Sequence, residues 1–390
     1  MRIDPATQAA KMVDALGPEA LEKAADYTVG SHWLLLWGLL VSGLVTWLIV
    51  RWGILDKIWA KLEKRSWAFR TFIVSAAYAI ISAVMFLPWT IYTDWWRETA
   101  YDRTSQPIAD FLSQGAIGGG ISALALGLFF LGVYALIRKA GKRWWLWSGG
   151  LAAFTITALL LISPILIEPL FNEFQPVPEG EVRTAIEAMA DEADIPRDRI
   201  FMYDGSRQSN NFTANVSGVF GSARIAISDV ALKEASLDEV KAVTGHEIGH
   251  YVLGHIWRIV VVFSLLAIAL FFLADRLFPW FASKFGSSAS IADPTGLPVL
   301  LFVVGLLGQI AQPLTNGMTR IGEREADNYS LQTVNLPDAL AGALLKTAEY
   351  RYPRPSALQE FLFYTHPSVE WRVRNAMEWK NSQRAQQSAQ

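Results

Sequence analysis

The sequence predicts a mainly α-helical protein: a multi-pass membrane helical bundle of about six spans carrying a small α+β domain. Three observations support this. Several apolar runs are long enough to cross a bilayer as helix. A polar block of ordinary soluble character interrupts them between residues 172 and 255. The composition is also skewed, since 52% of the 390 residues are hydrophobic and only 18% charged, below the quarter or so usual in globular chains. The 16 Trp residues cluster beside the apolar runs, where amphipathic rings favour the membrane–water boundary. A net charge of −2 gives no reason to expect a nucleic-acid partner. With no Cys in the chain, disulfides, cysteine nucleophiles and thiolate metal sites are excluded, so any metal must be held by His and carboxylates.

Residues 1–30 read as a polar N-terminal tail of mixed charge, without the apolar stretch after a basic start that marks a signal peptide. The spacing of Ala9, Met12, Val13, Leu16, Leu21 and Ala25 predicts an amphipathic helix lying on another surface. Region 31–171 holds four spans, at Trp33–Val50, Phe72–Tyr92, Ala116–Ile137 and Trp144–Ile167. The polar block, taken as a domain over 172–257, follows. Region 258–314 adds Ile259–Leu273 and Leu297–Leu314, the latter with Gln309 and Gln312, which suits a helix facing protein or a water-filled cavity. Residues 315–380 complete the polar domain with helices, and 381–390 read as a frayed tail. Gly118 to Gly120, Pro88 and Pro164 inside spans suit unusual packing around a water-filled chamber, which peptide hydrolysis inside a bilayer would need.

The chemistry centres on one helix. Ser236-Leu237-Asp238-Glu239 is a capping box, so a helix begins near Leu237 and runs to about His255. On it, His246 and His250 stand one turn apart on one face, with Glu247 next to the first. Two imidazoles so spaced can share a zinc ion while the Glu acts as general base on water, a pattern typical of metalloproteases. A catalytic zinc takes three protein ligands and keeps a fourth position open. His255 comes five residues after His250, which does not fit the three-histidine spacing, so it reads as a supporting residue near the membrane surface. Glu323, just beyond the polar-flecked span, is the candidate third ligand. Spacing alone leaves it balanced against a charged helix surface. Asp327, one turn later, could accept a hydrogen bond from the free nitrogen of a ligating His.

These residues carry a resemblance. Thr244 to His255, Arg320 to Asp327, Leu87-Pro88-Trp89-Thr90-Ile91-Tyr92, Trp95 to Gln106, Ile167 to Pro176 and Tyr364-Thr365-His366-Pro367-Ser368 together resemble the CaaX prenyl protease 1 family of integral-membrane zinc metalloendopeptidases, over nearly the whole chain. The resemblance implies one Zn2+ per chain in a zinc-metalloprotease domain, with Glu323 as third ligand and Arg320 and Asp327 supporting the ligands. It also implies His366 as a donor to the developing oxyanion. Substrates would be peptides or membrane proteins, prenylated or not, met at the lipid bilayer. The family's Asn-Ala-Tyr stretch is Thr213-Ala214-Asn215 here, which suits an exposed edge strand that binds substrate by backbone pairing. His-Pro-Pro is His366-Pro367-Ser368. The family's eukaryotic members have seven spans, and the first has no counterpart in residues 1–390. Two alternatives stay open: a quality-control membrane protease without prenyl dependence, and a non-catalytic scaffold or transporter, in which Glu247 would have no purpose.

Orientation is contested. Arg51, Lys57, Lys61, Lys64, Arg65 and Arg70 on one loop, and Arg138, Lys139, Lys142 and Arg143 on another, favour a cytoplasmic position for those loops. The loop over 93–115 has only Arg97 and Arg103 against four acids, Asp94, Glu98, Asp102 and Asp110. Loop charge therefore puts the polar domain outside, whereas the resemblance puts it on the cytosolic side of the membrane, the inner or plasma membrane in a bacterium or the endoplasmic reticulum in a eukaryote. The expectation taken forward is cytosolic.

Overall fold

The computed structural model describes residues 4–218 and 222–389. Helix α1 (Pro5–Asp14) starts on the Asp4 side chain, which accepts the Thr7 N–H, and buries Ala9 and Val13. Helix α2 (Pro18–Arg51) follows after Gly17. The expected tail is thus not a unit, because from Pro18 onward it belongs to the first long helix. Gly53, with φ of 58°, turns the chain into α3 (Ile54–Lys61), a short helix that buries Leu55 against α2 and the next helix, α4 (Trp67–Thr90). Pro88 removes a backbone donor near the end of α4, and a wider helical turn, Ile91–Trp96, connects to α5 (Arg97–Ala100).

Helix α6 (Ile108–Ala140) and α7 (Trp144–Ile162) pack against each other across a turn at Gly141–Arg143. There Gly141 has φ of 52°, a left-handed value that glycine adopts at little cost. The membrane exit, Ser163–Ile167 around Pro164, is again a wide turn. Beyond it lie β1 (Phe174–Pro176), α8 (Glu181–Glu192), β2 (Ile200–Tyr203), β3 (Ala214–Ser217), β4 (Arg224–Ser228), α9 (Asp229–Glu234) and α10 (Leu237–Val252). The sheet runs β1-β2-β4-β3, with β2 and β4 parallel and the other pairs antiparallel. All five residues of β4 are buried, so β4 is the central strand of this layer and β3 is an edge. The remaining helices are α11 (His255–Phe285), α12 (Leu297–Thr333), α13 (Pro337–Lys346), α14 (Ala357–Phe363) and α15 (Val369–Ala389). Helix α15 carries on through most of the segment expected to fray; Gln390 lies outside the described residues.

Among the described residues, five helical stretches are long and apolar enough to cross a membrane: 18–51, 67–100, 108–170, 255–285 and 294–333. The third is folded in two at Gly141, so six rods stand side by side, matching the six apolar runs. The last two are longer than their apolar runs: α12 extends past its run into the polar domain, and α11 extends chiefly toward the turn at 286–296. One end of the bundle gathers the turns at 52–66, 141–143 and 286–296, where Arg138 lies over the Trp67 ring. At the other end Asn210 donates its N–H to the Arg103 carbonyl and Tyr352 to the Thr28 hydroxyl, joining the α5–α6 loop and the start of α2 to the polar domain. That domain has two cores of its own. One joins α8, the sheet and α10 through Ile186, Ile200, Ile225 and Val240. The other joins α1, α13 and α15 through Ala9, Leu340, Leu344 and Val373.

Candidate metal centre

The Ser236 hydroxyl accepts the Glu239 N–H while the Glu239 carboxylate accepts the Ser236 N–H, so α10 begins where the capping box puts it. It stops at Val252 rather than His255, because Gly254 takes a left-handed φ of 67° and starts α11 in a new direction. Gly245 and Gly249 face α12. A Cβ on Gly249 would meet Ala326 Cα at 3.2 Å, and one on Gly245 would meet Val334 Cγ2 at 2.5 Å. Two small residues one turn apart let the helix backbones approach closely. That approach brings Glu323 of α12 against His246 and His250 of α10.

His246, His250 and Glu323 each offer one ligand atom within 4.8 Å of the others. The Nε2 atoms of His246 and His250 are 3.1 Å apart, and Glu323 oxygens lie 3.4 Å from each. Hydrogen-bond partners assign the ring protons. Asp327 Oδ1 lies 2.9 Å from His246 Nδ1; a carboxylate only accepts, so Nδ1 carries the proton and Nε2 presents a lone pair. His255 Nε2 lies 2.9 Å from Glu325 Oε2, so His255 donates there and its Nδ1 accepts from His250 Nδ1 at 2.8 Å. His250 Nε2 is therefore also a lone pair. Two lone pairs and a carboxylate oxygen, Glu323 Oε2, buried without a hydrogen-bond partner among the described residues, converge on one point. Such a set repels itself unless a cation sits between. An ion held tetrahedrally at about 2.0–2.1 Å has donor atoms about 3.3–3.4 Å apart, so the donors fit a metal in type and in spacing.

Electrostatics agree. Burial alone would lower the pKa of His246, but the bonds to Asp327 and Glu323 outweigh it and raise the ring to about 10; without a metal a proton occupies Nε2, and the lone pair is freed only when a cation takes that proton's place. Arg372 explains how Asp327 stays ionised while buried: its guanidinium donates to both carboxylate oxygens, at 2.7 and 2.6 Å. Arg372, which sequence reasoning missed, is the residue behind this ligand. Arg320 is not: its guanidinium bonds the Glu360 carbonyl at 2.8 Å and the Tyr364 carbonyl. The expectation that Arg320 supports the ligands is corrected to fastening the segment that leads into His366.

Glu247 lines two cavities, one of about 170 Å³ that also contains His246, Glu323, His366 and Arg372, and one of about 590 Å³ that contains His250 and His255. Burial raises the pKa of its carboxyl. His366 Nε2 lies 3.3 Å from Glu323 Oε1. Burial, and next the charge of Arg351, lower its pKa to about 3, so the ring is neutral. Its Nδ1 faces the Thr365 hydroxyl at 2.8 Å, which leaves Nε2 free to be a donor. Edge strand β3 runs past Glu247: Thr213 and Ala214 line the smaller cavity, and Val216 to Gly218 line the larger. Thr213 Oγ1 bonds the Tyr203 hydroxyl at 2.7 Å. Asn215 lines neither cavity, and its Oδ1 is buried without a hydrogen-bond partner among the described residues.

The interior continues into the bundle. The larger cavity shares Ile156 with one of about 460 Å³ between α7, α11 and α12. That one shares Gln312 with a cavity of about 250 Å³ beside α2, which shares Tyr350 and Arg351 with the smallest. Each of the four cavities thus shares a lining residue with the next.

Known proteins match both halves. Residues 176–380 match peptidase family M48, and residues 5–173 match the region described as CAAX prenyl protease N-terminal, five membrane helices. The chain is 26% identical over 373 residues to YhfN, an uncharacterized metalloprotease of Bacillus subtilis, covering 94% of this chain and 87% of that one. It is 30% identical over 279 residues to CAAX prenyl protease 1 of Saccharomyces cerevisiae, covering 66% of this chain and 59% of that one. The crystal structure of S. mikatae Ste24p superposes with a TM-score of 0.76 at 21% identity, over 93% of this chain and 90% of that chain.

Proposed function

The chain belongs to peptidase family M48, a membrane metalloprotease with its metal-binding cluster on α10 and α12, and from that premise we propose that it is a zinc-dependent endopeptidase of the CaaX prenyl protease type. One observation carries the zinc reading: two imidazole nitrogens 3.1 Å apart each have one oxygen of the Glu323 carboxylate at 3.4 Å, a gathering of donors of the right type for zinc beside the cavity that Glu247 lines. His246, His250 and Glu323 would hold the ion. Asp327 with Arg372, and His255 with Glu325, would keep both rings in the ligating tautomer.

Zinc so held supplies a Lewis acid for the scissile carbonyl and lowers the pKa of a water it binds. Glu247 takes the proton of the attacking water and returns it to the leaving nitrogen; its raised pKa brings it nearer to that task. His366 donates from Nε2 to the developing oxyanion, and such a fixed donor is typically worth about 3–4 kcal/mol. The free edge of β3 at Thr213, Ala214 and Asn215 pairs with an extended substrate backbone, with little demand on sequence. The cavities on either side of Glu247 have room for the water that the bilayer excludes.

The CaaX-type assignment rests on the matches to CAAX prenyl protease 1 and to the five-helix N-terminal region. The protease domain is taken to face the cytosol. The test is a Glu247→Gln variant, assayed beside the parent on a peptide pair that differs only in a prenyl thioether. The variant retains zinc and loses roughly 10²- to 10⁴-fold in kcat, and the parent cleaves the prenylated member faster. An equally active variant refutes the protease mechanism. Equal rates on the pair favour a quality-control protease without prenyl dependence.

A further inference from the structure

Arg351 sits in the segment between α13 and α14, beside both the cavity of about 170 Å³ that contains His246 and Glu323 and the cavity of about 250 Å³ next to α2. It lines both. Its neighbours in this part of the chain are all engaged. Arg354 bonds Asp14 and Glu370, Arg372 bonds Asp327, and Arg320 bonds two carbonyls. Among the described residues, Arg351 alone of these arginines has neither a hydrogen-bond acceptor nor an ion-pair partner. Its nearest described ring is that of its neighbour Tyr350, 5.9 Å away.

A half-buried guanidinium without an acceptor is unfavourable, because burying a charge costs free energy that pairing normally offsets. Burial, with the Arg372 charge adding to it, works against its ionised state, and only Glu323 and the tyrosines oppose this. Glu323 does not supply the missing partner. It stands within 3.3–3.5 Å of His246, His250, His366 and Arg372 but beyond ion-pair distance of Arg351. The missing partner must therefore come with whatever enters the cavity.

We propose that Arg351 is a specificity-determining residue that binds a carboxylate of the substrate beside the scissile bond. The inference rests on reading the cleft as a peptide site. The anionic groups an unmodified peptide offers are its terminal carboxylate and its Asp or Glu side chains, and the planar guanidinium fork matches either in two parallel hydrogen bonds. Both sources share one chemistry. The 250 Å³ cavity beyond Arg351, lined by Thr28, Ser31, His32 and Gln312, is polar and can hold the end of a chain or one side chain. Apolar and neutral peptides would gain nothing from this residue.

The test uses the zinc-loaded full-length chain in detergent and three peptides with one core sequence: a free C-terminal acid, its C-terminal amide, and the amide with a Glu next to the cleaved bond. In Arg351→Gln, kcat/KM for whichever acidic peptide uses the contact falls about ten- to hundredfold, mainly through KM. The neutral amide loses less than that acidic peptide, an unchanged zinc content and Tm show that the variant is folded, and Arg351→Lys restores part of the loss. The acidic peptide that suffers identifies the source of the carboxylate. The same peptides are then bound, followed by fluorescence anisotropy, to Glu247→Gln with and without Arg351→Gln. If the parent cleaves no peptide, the protease reading fails, while discrimination of acid from amide in binding still upholds the role of Arg351. Equal losses for all three peptides, or acid and amide bound alike whether or not Arg351 is present, overturn the inference.

Discussion

His246 and His250 are each held from behind by a chain of hydrogen bonds ending in an arginine. His246 leads to Asp327 and Arg372; His250 leads through His255 to Glu325 and Arg258. The second chain makes a specific prediction. His255→Ala removes the group that keeps the proton on His250 Nδ1, so zinc affinity falls about ten- to hundredfold, measured by competition with a chromophoric chelator. Unchanged affinity would show that His255 only packs against Gly322. The histidine pair and Glu247 are legible in the sequence because a helix converts spacing into direction. Arg372 is not, because it lies 126 positions from His246 and nothing local distinguishes it from the other arginines of α15. Arg320 misleads for the converse reason: its nearness in sequence to Glu323 does not make it a neighbour of the ligands in space.

The element that matters most is α10, and its start is set by its cap. The Glu239 carboxylate accepts from Ser236 and from Lys346 at 2.9 Å. Burial opposes its ionisation, yet these bonds outweigh burial and hold its pKa below the ordinary 4.5. A carboxyl depressed in the folded state adds stability above its unfolded pKa and loses it as pH falls through the folded value. Glu239→Gln keeps the capping geometry and removes the charge. It therefore lowers the apparent Tm near neutral pH, by less than about 1 kcal/mol in stability because the pair is partly exposed, and the difference from the parent shrinks as the pH falls below the ordinary 4.5. Thermal unfolding of parent and variant across pH 3–7 would check this, and a constant offset would contradict it. The beginning of α10 is legible from four residues, whereas its end is not, since only the backbone at Gly254 reveals that His255 already belongs to the next helix.

At the scale of the whole molecule, the six apolar runs predict the six rods, because crossing a bilayer sets helix length. They do not predict how far α12 continues into the protease domain, which depends on packing and not on hydropathy. Nor do they predict the cavities, which arise from how the rods lean on one another. Loop charge and kinship disagree about sidedness. The basic turns at 52–66 and 141–143 lie at the end of the bundle away from the protease domain, and α3 packs back onto α2 and α4, so tertiary contacts and not only charge hold that end. Because the chain contains no Cys, single replacements report cleanly. With the domain facing the cytosol, Asp198→Cys reacts with an impermeant maleimide only from the cytosolic side and Lys64→Cys only from the opposite side; the reverse pattern would invert the molecule.

All of this depends on His246, His250 and Glu323 sharing one ion. X-ray absorption at the zinc edge of the purified full-length chain measures that directly. The account predicts one zinc per chain, with two imidazole nitrogens, one carboxylate oxygen and one solvent atom at about 2.0–2.1 Å, and loss of the oxygen ligand with a large fall in affinity in Glu323→Ala. A shell without two imidazoles, or one unaltered in Glu323→Ala, would contradict it.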